Sequence, residues 1–143
     1  MSISKKAEYA LRALTILATR SAAAPVQAQD LAAAGQLPVK FLEQILLALK
    51  RAGLLRSKRG AGGGYLLNRT PAEISLAEVI RSVDGAQMDE ASTGLNGLDS
   101  SPGCQGLGEC LSELSQLVSG FLERETIQSL LAREEPGVLA FDI

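Results

Sequence analysis

Residues 54–69 read LLRSKRGAGGGYLLNR, two short apolar pieces on either side of a tip that is almost all glycine. Leu54 and Leu55 on one side and Tyr65, Leu66 and Leu67 on the other suit short strands, while Gly60, Gly62, Gly63 and Gly64 permit positive φ and close backbone approach. Arg56, Lys58, Arg59 and Arg69 then ring a tip slim enough to enter a groove. The pattern predicts a DNA-binding wing. A basic hairpin also serves merely to keep an edge strand soluble, so the functional reading depends on what flanks it.

Upstream, Pro25 opens a short predicted helix over residues 26–34 that Gly35 can end, and Pro38 opens a longer one reaching about residue 52 before Gly53. Short helix, tight turn and longer helix make a helix-turn-helix. In the longer helix Leu42, Ile45, Leu46 and Leu49 form an inward stripe, leaving Lys40, Glu43, Gln44 and Arg51 outward. Lys40 and Arg51 suit phosphates, Gln44 an adenine edge, and Glu43 a cytosine amino group. Outward polar residues are ordinarily just solvated; here a basic hairpin follows directly.

A first helix is expected from residue 4 to about residue 23, with Ala7, Leu11, Leu14 and Ala18 on its buried stripe. Lys5 and Lys6 oppose the helix dipole at its start, which suggests an external anion such as a phosphate; solvated lysines are the plainer alternative. Ser75 and Glu78 form a capping box for a helix that packs Leu76, Val79 and Ile80 and ends near Gly85. Residues 86–106 are rich in Gly, Ser and Asp and read as a loop carrying Cys104. Leu107, Leu111, Leu114, Val118 and Phe121 then recur in a heptad-like seam, read as a dimerisation helix, the alternative being a helix packed on its own domain. Thr126 caps a last helix with Ile127, Leu130 and Leu131 before Pro136.

Charge divides along the chain: residues 1–70 hold 11 Lys/Arg against 3 Asp/Glu, and residues 71–143 hold 3 against 13. The net charge of −2 therefore conceals a front half of +8 and a back half of −10. A cationic front favours a polyanion through counterion release. The chain has no histidine, so no Ser-His or Cys-His pair exists, and its glycine-rich loop lacks a Gly-Lys-Ser/Thr ending. An enzyme is not expected. Two cysteines are too few for a disulfide framework, and their six-residue spacing suggests redox or metal chemistry. No apolar run approaches a bilayer span, the first such segment being broken by Glu8, Arg12 and Arg20, so a cytoplasmic protein without membrane contact is expected.

Four segments together carry a resemblance: AEYALRAL, LPVKFLEQILLALKRAGLL, SKRGAGGGYLLNR and ISLAEVIRSVDG. They resemble the Rrf-two family of bacterial winged-helix regulators, which includes the IscR, NsrR and CymR types, continuously over residues 1–85. The resemblance implies a mainly α fold with a small β-hairpin wing, that is, a winged helix-turn-helix domain (1–85), a cysteine-containing sensor loop (86–106) and a long C-terminal dimerisation helix with a terminal helix (107–143). It implies a homodimeric regulator of double-stranded DNA, a repressor, with half-sites roughly 34 Å apart. By position, Pro38, Val39, Lys40, Glu43 and Gln44 start the recognition helix. Arg59 is the minor-groove arginine, with Arg56, Lys58 and Gly60 beside it, and Tyr9 and Ser57 approach the DNA backbone.

Many members of this family hold an iron-sulfur cluster with three cysteines spaced by about five to seven residues. Cys104 and Cys110 match the first spacing, but the third position falls near residues 116–118 and no third cysteine exists. The resemblance offers Glu8 as a further ligand to a two-iron two-sulfur cluster, with Asp99, Glu109, Glu113 or an outside donor as the fourth. A reversible Cys104–Cys110 disulfide and two inert thiols are the alternatives. So is a cofactor-free regulator controlled by a partner protein or metabolite, as the CymR type suggests. An iron-sulfur or redox carrier that docks acidic proteins is a remoter alternative, which leaves the wing unexplained.

Overall fold

A computed structural model describes residues 3–20, 22–85 and 103–134. These form six α-helices and one antiparallel hairpin: α1 (Lys5–Ala18), α2 (Ala28–Gly35), α3 (Val39–Arg51), β1 (Leu55–Lys58), β2 (Gly64–Leu67), a 3₁₀ turn (Pro71–Glu73), α4 (Leu76–Asp84), α5 (Gln105–Arg124) and α6 (Ile127–Arg133). The fold is a winged helix. The expected mainly α architecture with one small hairpin is what the chain adopts.

Helix α1 lies at the centre, packed against α2, α3, α4 and α6. Its Ala7, Ala10 and Ala13 are fully buried, and side chains this small let neighbouring helices approach closely. Leu14, Leu31, Leu42, Ile45, Leu46 and Leu49 fill the space between, the leucine stripe of α3 facing inward as expected. Truncating any one of them to alanine costs about 2–5 kcal/mol.

Helix α1 stops at Ala18, five residues before its expected end. The amides of Thr19 and Arg20 turn back to the carbonyls of Ile16 and Leu17, closing the last turn in 3₁₀ fashion. Residues beyond are then drawn to the sheet: Val26 pairs with Tyr65 through two backbone hydrogen bonds of 3.0 and 2.8 Å. Val26 is therefore extended, and α2 begins at Ala28 instead of residue 26. Gly35 does not terminate α2 in the expected way either. It is the last helical residue, where a Cβ would meet Ile16 Cδ1 at 3.0 Å, and Gln36 takes the left-handed conformation at φ 54°.

The hairpin pairs Leu55 with Leu67 and Lys58 with Gly64. Gly64 sits at φ 145°, and a Cβ there would lie 2.5 Å from the Val26 carbonyl. Glycine is demanded by the neighbouring strand as well as by the turn. Ser75 caps α4 by accepting from the Glu78 amide at 3.1 Å, but the Glu78 carboxylate pairs with Arg69 in place of completing the capping box. Thr126 and Ser129 do form one on α6. Backbone bonds Leu76 N to Glu125 O (2.9 Å) and Ile127 N to Ile74 O (3.0 Å) bring α6 to the body of the fold, and Ile127 is fully buried in the core of the winged helix.

Candidate nucleic-acid interface

Helix α3 presents one continuous exposed face. Val39, Lys40, Glu43, Gln44, Leu47, Lys50 and Arg51 are all exposed, while Pro38 is its exposed N-cap. Leu47, 43% exposed, and Lys50 were not foreseen as outward residues. Helical spacing from Lys40 and Glu43 leads to both. An exposed leucine and valine on such a face match thymine methyl groups in the major groove.

Three residues after α3 the wing begins. Arg56, Ser57, Lys58, Arg59 and Gly60 are exposed, and Gly60 has φ 91°. Arg69 is not part of this group: it lies past the base of the hairpin, bound to Glu78 and 3.4 Å from the Glu73 carbonyl. The Glu78 carboxylate withdraws it from the ring of cations expected at the tip.

At the start of α1, Lys5 is exposed and Lys6 half-buried. Lys5 has an internal anion, Glu8, at 3.1 Å, so no external one is needed to place it there. Tyr9 is half-buried, its ring packed edge-on against Phe41 with centroids 5.7 Å apart and the Arg12 guanidinium 5.5 Å above it. Tyr9 thus fixes the start of α3 to α1.

Glu8 is shared by Lys5 and Arg12, the latter at 2.9 Å. The hydrogen bond and charge of Lys5, followed by Arg12, hold its carboxyl below the usual glutamate range. Among the described residues, no three of His, Cys, Asp and Glu gather as a metal-holding group, so Glu8, Cys104 and Cys110 are not brought together. The described residues of a single chain do not fit an iron-sulfur cluster. Asp99 lies outside the described residues.

Cys104 is half-buried at the N-cap of α5, and Cys110 is exposed within that helix; both are free. The Cys104 carbonyl already accepts from the Gly108 amide at 2.9 Å. Six positions along a helix separate Cα atoms by about 9 Å and turn the side chains by roughly 240°. A disulfide needs Cα atoms within roughly 7 Å. The expected alternative of a Cys104–Cys110 disulfide is therefore incompatible with α5 as folded.

Helix α5 carries the expected seam residues on two faces. Leu107, Leu114 and Phe121 are exposed, whereas Leu111 and Val118 are half-buried. Leu117, outside the expected seam, is the most exposed large apolar residue among the described ones at 64%. The outward apolar stripe is Leu107, Leu114, Leu117 and Phe121, with Cys110 in the same register. Arg81 of α4 reaches Glu123 at 2.6 Å and anchors the helix to the body.

No described helix is long and apolar enough to cross a membrane. An exposed helix face and a cationic hairpin, joined by three residues and held on a packed helical core, define a winged helix-turn-helix DNA-binding protein. Residues 3–133 match the Rrf2 family, described as iron-dependent transcriptional regulator, and the chain belongs to that family. It is similar to the candidate HTH-type transcriptional regulator Rv1287 of Mycobacterium tuberculosis, with 40% identity over 98% of this chain and 87% of the relative. The HTH-type transcriptional regulator IscR of Serratia proteamaculans is 33% identical over 98% of this chain and 85% of its own. Among solved structures, CymR, the global cysteine regulator of B. subtilis, superposes with a TM-score of 0.82 at 27% identity, covering 94% of this chain and 99% of that one. These relatives are transcription regulators, not enzymes.

Proposed function

We propose that the chain is a homodimeric, sequence-specific DNA-binding repressor, in which α3 reads the major groove and the wing places Arg59 in the minor groove. The observation that carries this reading is the exposed face of α3, with Glu43 and Gln44 among cations, leading directly into an exposed wing bearing Arg56, Lys58 and Arg59. Lys5, Lys6, Tyr9, Ser57 and Gly60 lie at the backbone contacts. Dimerisation is supported by the exposed apolar stripe Leu107, Leu114, Leu117 and Phe121 on α5. An iron-sulfur signal through Cys104 and Cys110, which the iron-dependent description of the family favours, would need its remaining ligands from outside the described residues of one chain.

A second reading has its own support. Because the described residues of one chain do not assemble a cluster and the cysteine pair cannot close in α5, a cofactor-free regulator controlled by a metabolite or partner protein fits the geometry better. Spectra of protein purified without oxygen, with Cys104→Ala and Cys110→Ala beside it, separate the two: visible bands lost in both variants support cluster sensing, and a colourless, iron-free wild type supports the second. DNA binding itself is tested by anisotropy over a salt series. A steep fall of affinity with salt that flattens in Arg59→Ala supports the wing, and a slope that Arg59→Ala leaves unchanged contradicts it.

A further inference from the structure

A cleft of about 650 Å³ opens on the side of the winged helix between the end of α1, residues 22–24, the hairpin and the 3₁₀ turn. That volume lies in the range of small-molecule sites, roughly 300–1,000 Å³. Its apolar walls come from Leu17 of α1 and from Tyr65 and Leu67 of β2. Arg20, Arg56 and Arg69 also line it, against one carboxylate, Glu73. Arg20 and Arg56 are exposed and have no ion pair among the described residues. Arg69 spends one terminal nitrogen on Glu78, and its Nε is buried without an acceptor among the described residues.

We propose that this cleft is an effector site for a small organic anion, a carboxylate on an apolar body, held by Arg20, Arg56 and Arg69 over Leu17 and Leu67. Guanidinium forks match a carboxylate's two oxygens, and with Arg69 balanced by Glu78, Arg20 and Arg56 against Glu73 leave the cleft a net positive field. The apolar wall selects a body that a bare inorganic ion lacks. Because Arg56, Tyr65 and Leu67 belong to the wing strands while Leu17 and Arg20 belong to the α1 end, an occupant spans the joint between wing and core. It alters DNA affinity by the factor by which DNA alters its own affinity. Binding stands on the cleft alone; the effect on DNA rests on the proposed DNA-binding function.

The test is a benzoate titration of the whole chain without DNA, followed through backbone amide resonances, with inorganic phosphate as the parallel probe. Expected are saturable shifts concentrated at residues 22–24 and 65–69, a midpoint at least fivefold weaker in Arg20→Gln and in Arg56→Gln, and weaker binding of phosphate than of benzoate. Shifts that do not saturate, or a midpoint unchanged in both variants, overturn the proposal. So does a cleft that phosphate or duplex DNA fills while benzoate does not, since the cations would then serve phosphates alone. Saturable benzoate binding in a chain that shows no DNA affinity would leave the cleft standing and remove only the DNA reading.

Discussion

The Ser4 hydroxyl caps α1 by accepting from the Ala7 amide at 3.0 Å and donates to the Asp84 carboxylate, 2.7 Å from Oδ2. One side chain thus joins the first turn of α1, which carries Lys5 and Lys6, to the last turn of α4. Ser4→Ala removes both bonds and is expected to cost about 1–2 kcal/mol, the upper part of the range for a lost N-cap. Urea denaturation of wild type and variant measures it. A loss within error of zero would show that neither bond holds the two helix ends together.

The wing depends on glycine at position 64. Gly64→Ala forces a Cβ against the Val26 carbonyl at a backbone conformation L residues rarely adopt, so a destabilisation on the order of 1–3 kcal/mol is expected. DNA affinity should fall further than in Gly60→Ala, where a Cβ meets open space despite the positive φ. Thermal melting together with anisotropy reads both effects; equal losses for the two variants would remove the special place given to the Val26 contact.

Acid should weaken the fold through two glutamates. Glu125 is held below the usual glutamate range, first by the hydrogen bond from Ser129 and then by Arg133, and Glu8 by Lys5 and Arg12. A carboxyl with a lowered folded pKa binds its proton more readily when unfolded. Its stabilisation is therefore complete above the ordinary glutamate range and is lost as pH falls through that range toward the folded value. Denaturation midpoints between pH 7 and pH 3 should decline less steeply in Glu125→Gln than in wild type. Parallel curves would place the acid sensitivity elsewhere.

Substituting the α5 stripe tests self-association. Leu114→Glu and Leu117→Glu each put a charge on an exposed apolar position, so the fold should survive while the proposed dimer dissociates. Light scattering after size exclusion gives the mass, and circular dichroism reports the fold. A monomeric wild type, or a variant that folds and still dimerises, would move the interface off this stripe.

Much of the winged helix was legible because its signals are local. The inward leucines of α3 repeat at helical spacing, and the glycine tip lies between two apolar pieces. The early end of α1 was not legible: alanines 22–24 favour helix, and the pairing of Val26 with Tyr65 that draws this region into the sheet is long-range. Gly35 misled for a similar reason, since its missing side chain serves the approach of Ile16 and not the turn. On α5, apolar residues fill two adjacent heptad registers, so spacing could not choose between Leu117 and Val118 as the outward residue; packing against α4 makes that choice. The cysteine spacing was plain, but the continuous helix separating the two thiols was not.

Base reading by α3 predicts that Glu43→Ala changes which sequences are bound more than how tightly random DNA is bound, while Arg59→Ala weakens all binding by on the order of 1–3 kcal/mol. Selection from a pool of random duplexes tests this most directly, run with wild type and Glu43→Ala. Enrichment of a palindromic site with half-sites about one helical turn apart, altered at defined positions by Glu43→Ala, is the predicted result. A wild-type pool that remains random through successive rounds would contradict sequence-specific binding by this chain.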